Sequence, residues 1–139
     1  MRKDANESMP AAGKLILDTN LVIALIEGDS AVASQVRDCR EVFIPSIVHG
    51  ELYYGAFRSN RVKENIDRIE ALMKERVIIG CDHQTAERYG MIKSELRMKG
   101  RPLPENDIWI AAIAMQHNVM LASRDQHFRE IEGLAWEAV

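Results

Sequence analysis

KLILDTNLVIALIEG, residues 14–28, is the stretch that decides the fold. Leu15, Ile16 and Leu17 form a short unbroken apolar run, the pattern of a strand covered on both faces. LVIALIEG, from Leu21, then reads as a short helix stopped by Gly28. A strand that feeds directly into a helix opens an alternating α/β arrangement. The polar interruption falls between the two elements. Asp18, Thr19 and Asn20 stand where the strand ends, which places a carboxylate at the mouth of a sheet instead of on a solvated face.

The same alternation continues outward from this stretch. Ser30 is placed to cap AVASQVRDC, VFI at 42–44 reads as a second strand, and Pro45 with Ser46 opens a helix through Phe57. Val62, Ile66, Ile69 and Leu72 or Met73 have helical spacing, which predicts a helix from Val62 to Lys74. VII at 77–79 is a third strand. Asp82 starts a long amphipathic helix to about Lys99, closed by Gly100 and a loop, RPLPEN, at 101–106. DIWIAAIAM at 107–115 is apolar on every side, so its helix must be nearly encircled by protein. VMLA at 119–122 is a fourth strand and GLAW at 133–136 a weak fifth. The pattern predicts one α/β domain over residues 14–139, with a largely parallel sheet of four to five strands flanked by helices. Residues 1–13 are small and polar without periodicity, which predicts a loose tail with Met9 as an optional internal start.

Composition narrows the function. A chain of 139 residues that is 47% hydrophobic builds a real core, which excludes disorder and a disulfide-dependent miniprotein. Cys39 and Cys81 show neither CxxC nor Cys/His spacing, so they supply no zinc ligand set, and both read as reduced thiols of a cytoplasmic protein. No apolar run approaches the roughly 18 residues needed to span a bilayer, so no membrane is implied. With 18 Lys and Arg against 21 Asp and Glu, the formal net charge is −3, and binding a polyanion requires local positive charge. Arg58, Arg61 and Lys63 form one candidate basic group, and Lys93, Arg97, Lys99 and Arg101 another; solvated helix faces and pairing with helix C-terminal dipoles are the better explanation of any one of them.

Four acidic residues carry the chemistry. Asp18 ends the first strand, where capping of the next helix is its other explanation. Glu51 projects from the apolar stripe of its helix, between Ile47 and Val48, or else reaches to water from the stripe's edge. Asp107 opens the all-apolar helix, where capping by Asn106 or Asp107 also accounts for it. Asp125 follows the fourth strand, in a position where a turn aspartate is common. Strand ends and helix starts converge at the carboxyl edge of a parallel sheet, and four carboxylates meeting there make an oxygen-only site suited to Mg²⁺ or Mn²⁺.

LDTN at 17–20, GEL at 50–52, NDIWIAA at 106–112 and SRDQHF at 123–128 resemble, in order and spacing, the acidic motifs of PIN-domain ribonucleases. The nearest resemblance is to VapC-type toxins of bacterial toxin–antitoxin pairs, and it covers Lys14 to about Leu134. It implies a PIN-like domain and metal-dependent endoribonuclease activity. Asp18, Glu51, Asp107 and Asp125 carry over as catalytic residues, with Asp18, Asp107 and Asp125 as metal ligands. Thr19, Asn20 and Ser123 are their supporting hydrogen-bonding residues. It further implies an RNA substrate, a cognate antitoxin protein and a homodimer, with Tyr53 and Phe57 among the apolar residues that meet the antitoxin. Many members carry another acidic residue two positions after the last one. Here that position is His127, so a ligand supplied there is missing and a dependence on two metals is weakened; Glu105 is a candidate substitute, but a loop surface residue is the better reading of it. Other readings are a housekeeping RNA-processing nuclease, a non-catalytic PIN-fold binding module, and a phosphatase or receiver-type domain built on Asp18.

Overall fold

β1 (Lys14–Leu17) lies at the centre of a five-stranded sheet and is buried from Leu15 onward, as its apolar run requires. The computed structural model describes Pro10 and residues 12–139; Met9 and most of the expected tail lie outside the described residues. α1 (Thr19–Ile26) and α2 (Ser30–Asp38) lead to β2 (Glu41–Pro45), and α3 (Ser46–Phe57) and α4 (Val62–Met73) lead to β3 (Val77–Ile79). The chain then returns through α5 (His83–Lys99) and α6 (Glu105–His117) to β4 (Met120–Ala122), and a 3₁₀ turn (Gln126–Glu130) precedes β5 (Trp136–Glu137).

The strand order is β3-β2-β1-β4-β5, and every pairing is parallel. Connections from β1 run to one side of the sheet and those from β4 to the other. The crevice at their carboxyl ends is therefore the switch point at which such sheets bind ligands. Register sharpens this: Leu17 pairs with Ala122, so the next residues, Asp18 and Ser123, leave the sheet side by side.

α6 is the buried backbone of the domain. Ile108, Ile110, Ala111, Ala112, Ile113 and Ala114 are all enclosed, as its all-round apolar sequence demands. Its start differs from the sequence expectation. Pro104 is the N-cap and the helix begins at Glu105, so neither Asn106 nor Asp107 caps it. Both belong to the first turn, where Asp107 faces the favourable end of the helix dipole. Asp29, not Ser30, caps α2, because its side chain accepts from the N–H groups of Ala31 and Val32. α5 starts as read, with Asp82 and Thr85 in a reciprocal capping box, and ends on left-handed Gly100 at φ 69°. Among the described residues, no helix is long and apolar enough to cross a membrane.

Candidate active site

Asp18 is both helix cap and site residue, so its two readings coexist. The residue is only 4% exposed, and its Oδ1 accepts from Leu21 N at 3.0 Å, opening α1. Its Oδ2 accepts from Ser123 Oγ, which comes from the far end of the sequence but the adjacent strand. Ser123 is fully buried, and its Oγ also accepts from Asp125 N at 2.9 Å, so one hydroxyl joins two acidic residues. The intervening Arg124 holds this loop down by pairing with Asp29 at 2.9 Å.

Glu51 comes from α3, one turn beyond buried Val48 and one residue before buried Leu52. It is half-buried, and Thr19 Oγ1 donates to its Oε1, which fixes the carboxylate against the start of α1. Asp107 enters from the first turn of α6. These elements enclose a hollow of about 400 Å³ lined by Asp18, Thr19, Asn20, Glu51, Asp107 and Asp125, with Pro104, Glu105 and Asn106 along its edge. All four predicted acidic residues and two of the three supporting ones face it; Ser123 sits beneath them.

Burial pushes the Asp18 carboxyl above the usual range, with Asp125 and Glu51 adding to the rise and the Ser123 and Leu21 donors opposing it. Asp107 is raised too, first by burial, against the lowering influence of His127. Close negative charges and partial desolvation thus leave the hollow short of positive charge.

The residue read as a gap in the motif turns out to lie inside the cluster. His127 Nε2 is 3.0 Å from Asp107 Oδ2 and its Nδ1 is 2.9 Å from Asp125 Oδ1. Asp107, Asp125 and His127 together offer ligand atoms within 4.8 Å of one another. The spacing of Asp125 and His127 on a turn was the available signal, since residues two apart there can share a ligand. Glu105, the proposed substitute, is taken up by Lys93 at 2.7 Å and by Tyr89.

Lys93 thereby stands at the rim of the hollow. Of the other basic residues, Arg61 pairs with Glu64, Lys63 with Asp67 and Lys99 with Glu130, none of which lines it. Trp109 is not in the core: it is half-buried and stacks on Tyr89, with ring centres 4.0 Å apart.

A family model described as PIN domain matches residues 15–134. The chain belongs to the PIN-domain family. This PIN domain is 35% identical over 121 residues to the ribonuclease VapC2 of Haemophilus influenzae, covering 86% of this chain and 90% of that protein. It is 28% identical over 127 residues to the tRNA(fMet)-specific endonuclease VapC of Shigella flexneri, covering 89% and 96%. In structure it is similar to a chain of VapBC2 from Rickettsia felis, solved bound to a DNA fragment from their promoter. The TM-score there is 0.86 at 25% identity, covering 91% of this chain and 98% of that one.

Proposed function

We propose that this PIN domain is a divalent-metal-dependent endoribonuclease that hydrolyses RNA phosphodiesters, and that it acts in the cytoplasm as the toxin of a toxin–antitoxin pair. The convergence of Asp18, Glu51, Asp107 and Asp125 on one hollow, in a chain related to VapC ribonucleases, carries this reading. The donor set fits a cation, because carboxylates crowded and partly desolvated as these are call for positive charge between them. Asp18, Asp107 and Asp125 would hold Mg²⁺ or Mn²⁺. Bound there, such an ion supplies positive charge for the scissile phosphate and acidifies the attacking water.

The chain's own residues do the positioning. Ser123 holds one oxygen of Asp18 while the start of α1 holds the other, so the carboxylate cannot rotate away. Thr19 fixes Glu51, which in this reading orients the attacking water. Asn20, at the lip, offers an amide donor to the substrate. Lys93 is the cation best placed to meet an RNA phosphate, at the cost of its pairing with Glu105.

The relationship to a VapBC complex supports a cognate antitoxin as partner. An apolar groove of about 200 Å³ runs from Glu51 past Ile23, Ile26, Leu52 and Ile69, and it is suited to an inserted antitoxin segment. Beyond it Tyr54 and Phe57 are 65% and 63% exposed, whereas Tyr53 is half-buried against the core, so the antitoxin contact moves from Tyr53 to Tyr54. A homodimer remains part of the reading.

The test is cleavage of an RNA panel that includes tRNA(fMet), with Mg²⁺ or Mn²⁺ and with chelator. Asp18→Asn and Asp107→Asn should each abolish metal-dependent cleavage while leaving a folded protein. Wild-type cleavage in chelator, or by either variant, would overturn the assignment. Co-expression with the adjacent reading frame separates the toxin from a housekeeping nuclease, which would ignore that product.

A further inference from the structure

His127 stands between two carboxylates of the candidate metal site, with one at each ring nitrogen. Each ring nitrogen faces a carboxylate oxygen at about the same distance, 3.0 Å for Nε2 and 2.9 Å for Nδ1. An imidazolium would donate to both, whereas a neutral imidazole carries one N–H and one lone pair and donates to only one of the two. The ring is also held in place. Its own backbone N–H donates to Asp125 Oδ1 at 3.3 Å, and its edge meets the ring of Phe128, a residue 1% exposed, at 4.9 Å between centres.

Asp125 Oδ1 takes the Nδ1 side, as a carboxylate does behind a metal-binding histidine, where it fixes the tautomer and turns the Nε2 lone pair outward. That lone pair then faces Asp107 Oδ2 across 3.0 Å. Two ligand atoms at about 2.1 Å from one ion and at right angles to each other are separated by about 3.0 Å. The spacing that is unfavourable between two acceptors is therefore the spacing of neighbouring ligands on a shared cation.

We infer that His127 is itself a metal ligand, paired with Asp107, and that its nitrogen gives this site a preference for borderline first-row ions such as Co²⁺ over Mg²⁺. The inference rests on the metal-dependent reading above and names a donor that reading lacks, with Asp125 serving behind His127 in place of ligating the same ion. An imidazole in place of a carboxylate removes a negative charge that attracts every divalent ion alike. In exchange it adds a donor that Co²⁺ uses well and that hard, oxygen-seeking Mg²⁺ uses poorly. A chain with an acidic residue at this position has the opposite balance.

Calorimetric titration of the purified full chain with Mg²⁺, Mn²⁺ and Co²⁺ reads the preference directly. His127→Ala should weaken Co²⁺ binding at least about tenfold and change Mg²⁺ binding much less, and His127→Asp should shift the ratio toward Mg²⁺. Electron spin-echo spectroscopy of Mn²⁺ on wild-type protein, with and without ¹⁵N-histidine, should show a directly bound nitrogen and needs no variant to fold. Tighter binding of all three ions by His127→Ala would overturn the inference, because His127 would then be an imidazolium standing in the cation's place. An unchanged Co²⁺-to-Mg²⁺ ratio, or no nitrogen coupling, would overturn it equally. Asp107→Asn separates the two readings: if it abolishes binding while the histidine variants change nothing, the acidic site stands and only the role of His127 falls. If Asp107→Asn also leaves every ion bound as before, the acidic site itself is wrong.

Discussion

Replacing Ser123 by alanine removes a single oxygen atom that joins β1 to the Asp125 loop. In the wild type this Oγ donates to Asp18 Oδ2 and accepts from Asp125 N. The residue is fully buried and Asp18 nearly so, so the orphaned groups are not simply handed to bulk water. A hydrogen bond to a carboxylate contributes about 1.5 to 3 kcal/mol and a neutral one about 1 kcal/mol. Because water in the adjoining hollow can rehydrate part of the damage, the expected loss is about 2 to 3 kcal/mol. For a chain of this length the entropy of unfolding is about 0.3 kcal/mol/K, so the melting temperature should fall by about 7 to 10 °C.

The pH dependence gives the same argument a second, independent check. Burial raises the Asp18 carboxyl, and the Ser123 donor is one of the two bonds that hold it down. Its loss raises that carboxyl further in the folded state. A raised folded-state value means stability present below the unfolded value and lost as pH rises through the folded one. The variant should therefore lie closest to wild type in acid and fall behind as the pH rises to 8. Melting curves in chelator across that range measure it, and cleavage assays should show a lower kcat with little change in KM. A variant that melts within 2 °C of wild type at neutral pH and cuts RNA at the same rate would refute the role given to Ser123. A deficit that does not vary with pH would refute the part assigned to the charge.

Two further outcomes follow from the same site and from the helix behind it. Mn²⁺ at about a hundred times its dissociation constant should stabilise the wild type by about 2.7 kcal/mol, or about 9 °C, and chelator should reverse it; an Asp107→Asn protein that shows the full shift would place the ion elsewhere. Asp82 is held below the usual carboxylate range by the Thr85 N–H, so its contribution is present above the unfolded value and lost as pH falls through the folded one. Asp82→Ala should accordingly lower stability at pH 7 and lose that deficit in acid melts.

The strands were legible because continuous apolar runs mark parallel strands, but the runs do not share one cause. Leu15 to Leu17 are apolar because the sheet's centre is covered on both faces, whereas Val77 and Ile78 lie on the edge strand, 41% and 57% exposed. Helix starts were legible where a side chain does the capping, as at Asp82, and were displaced where local chemistry is ambiguous. In Asp29-Ser30 either residue satisfies the same rule, and the structure selects the first. At α6 the cap is Pro104, whose fixed backbone starts the helix without a side-chain bond, so Glu105 and Asn106 looked like loop.

The four acidic residues were legible one by one, but the bonds that make them a site depend on register. Ser123 meets Asp18 across 105 residues only because Leu17 pairs with Ala122, and Thr19 meets Glu51 only because α1 and α3 pack together. His127 shows how a motif read in one dimension can mislead. As a letter it is an acid that is absent, with no partner visible along the chain. In space the 3₁₀ turn after Asp125 brings its ring between two carboxylates, with one nitrogen to each. The position keeps its place in the cluster with a nitrogen in place of a carboxylate oxygen, and that donor atom, more than the count of carboxylates, sets which cation the site prefers.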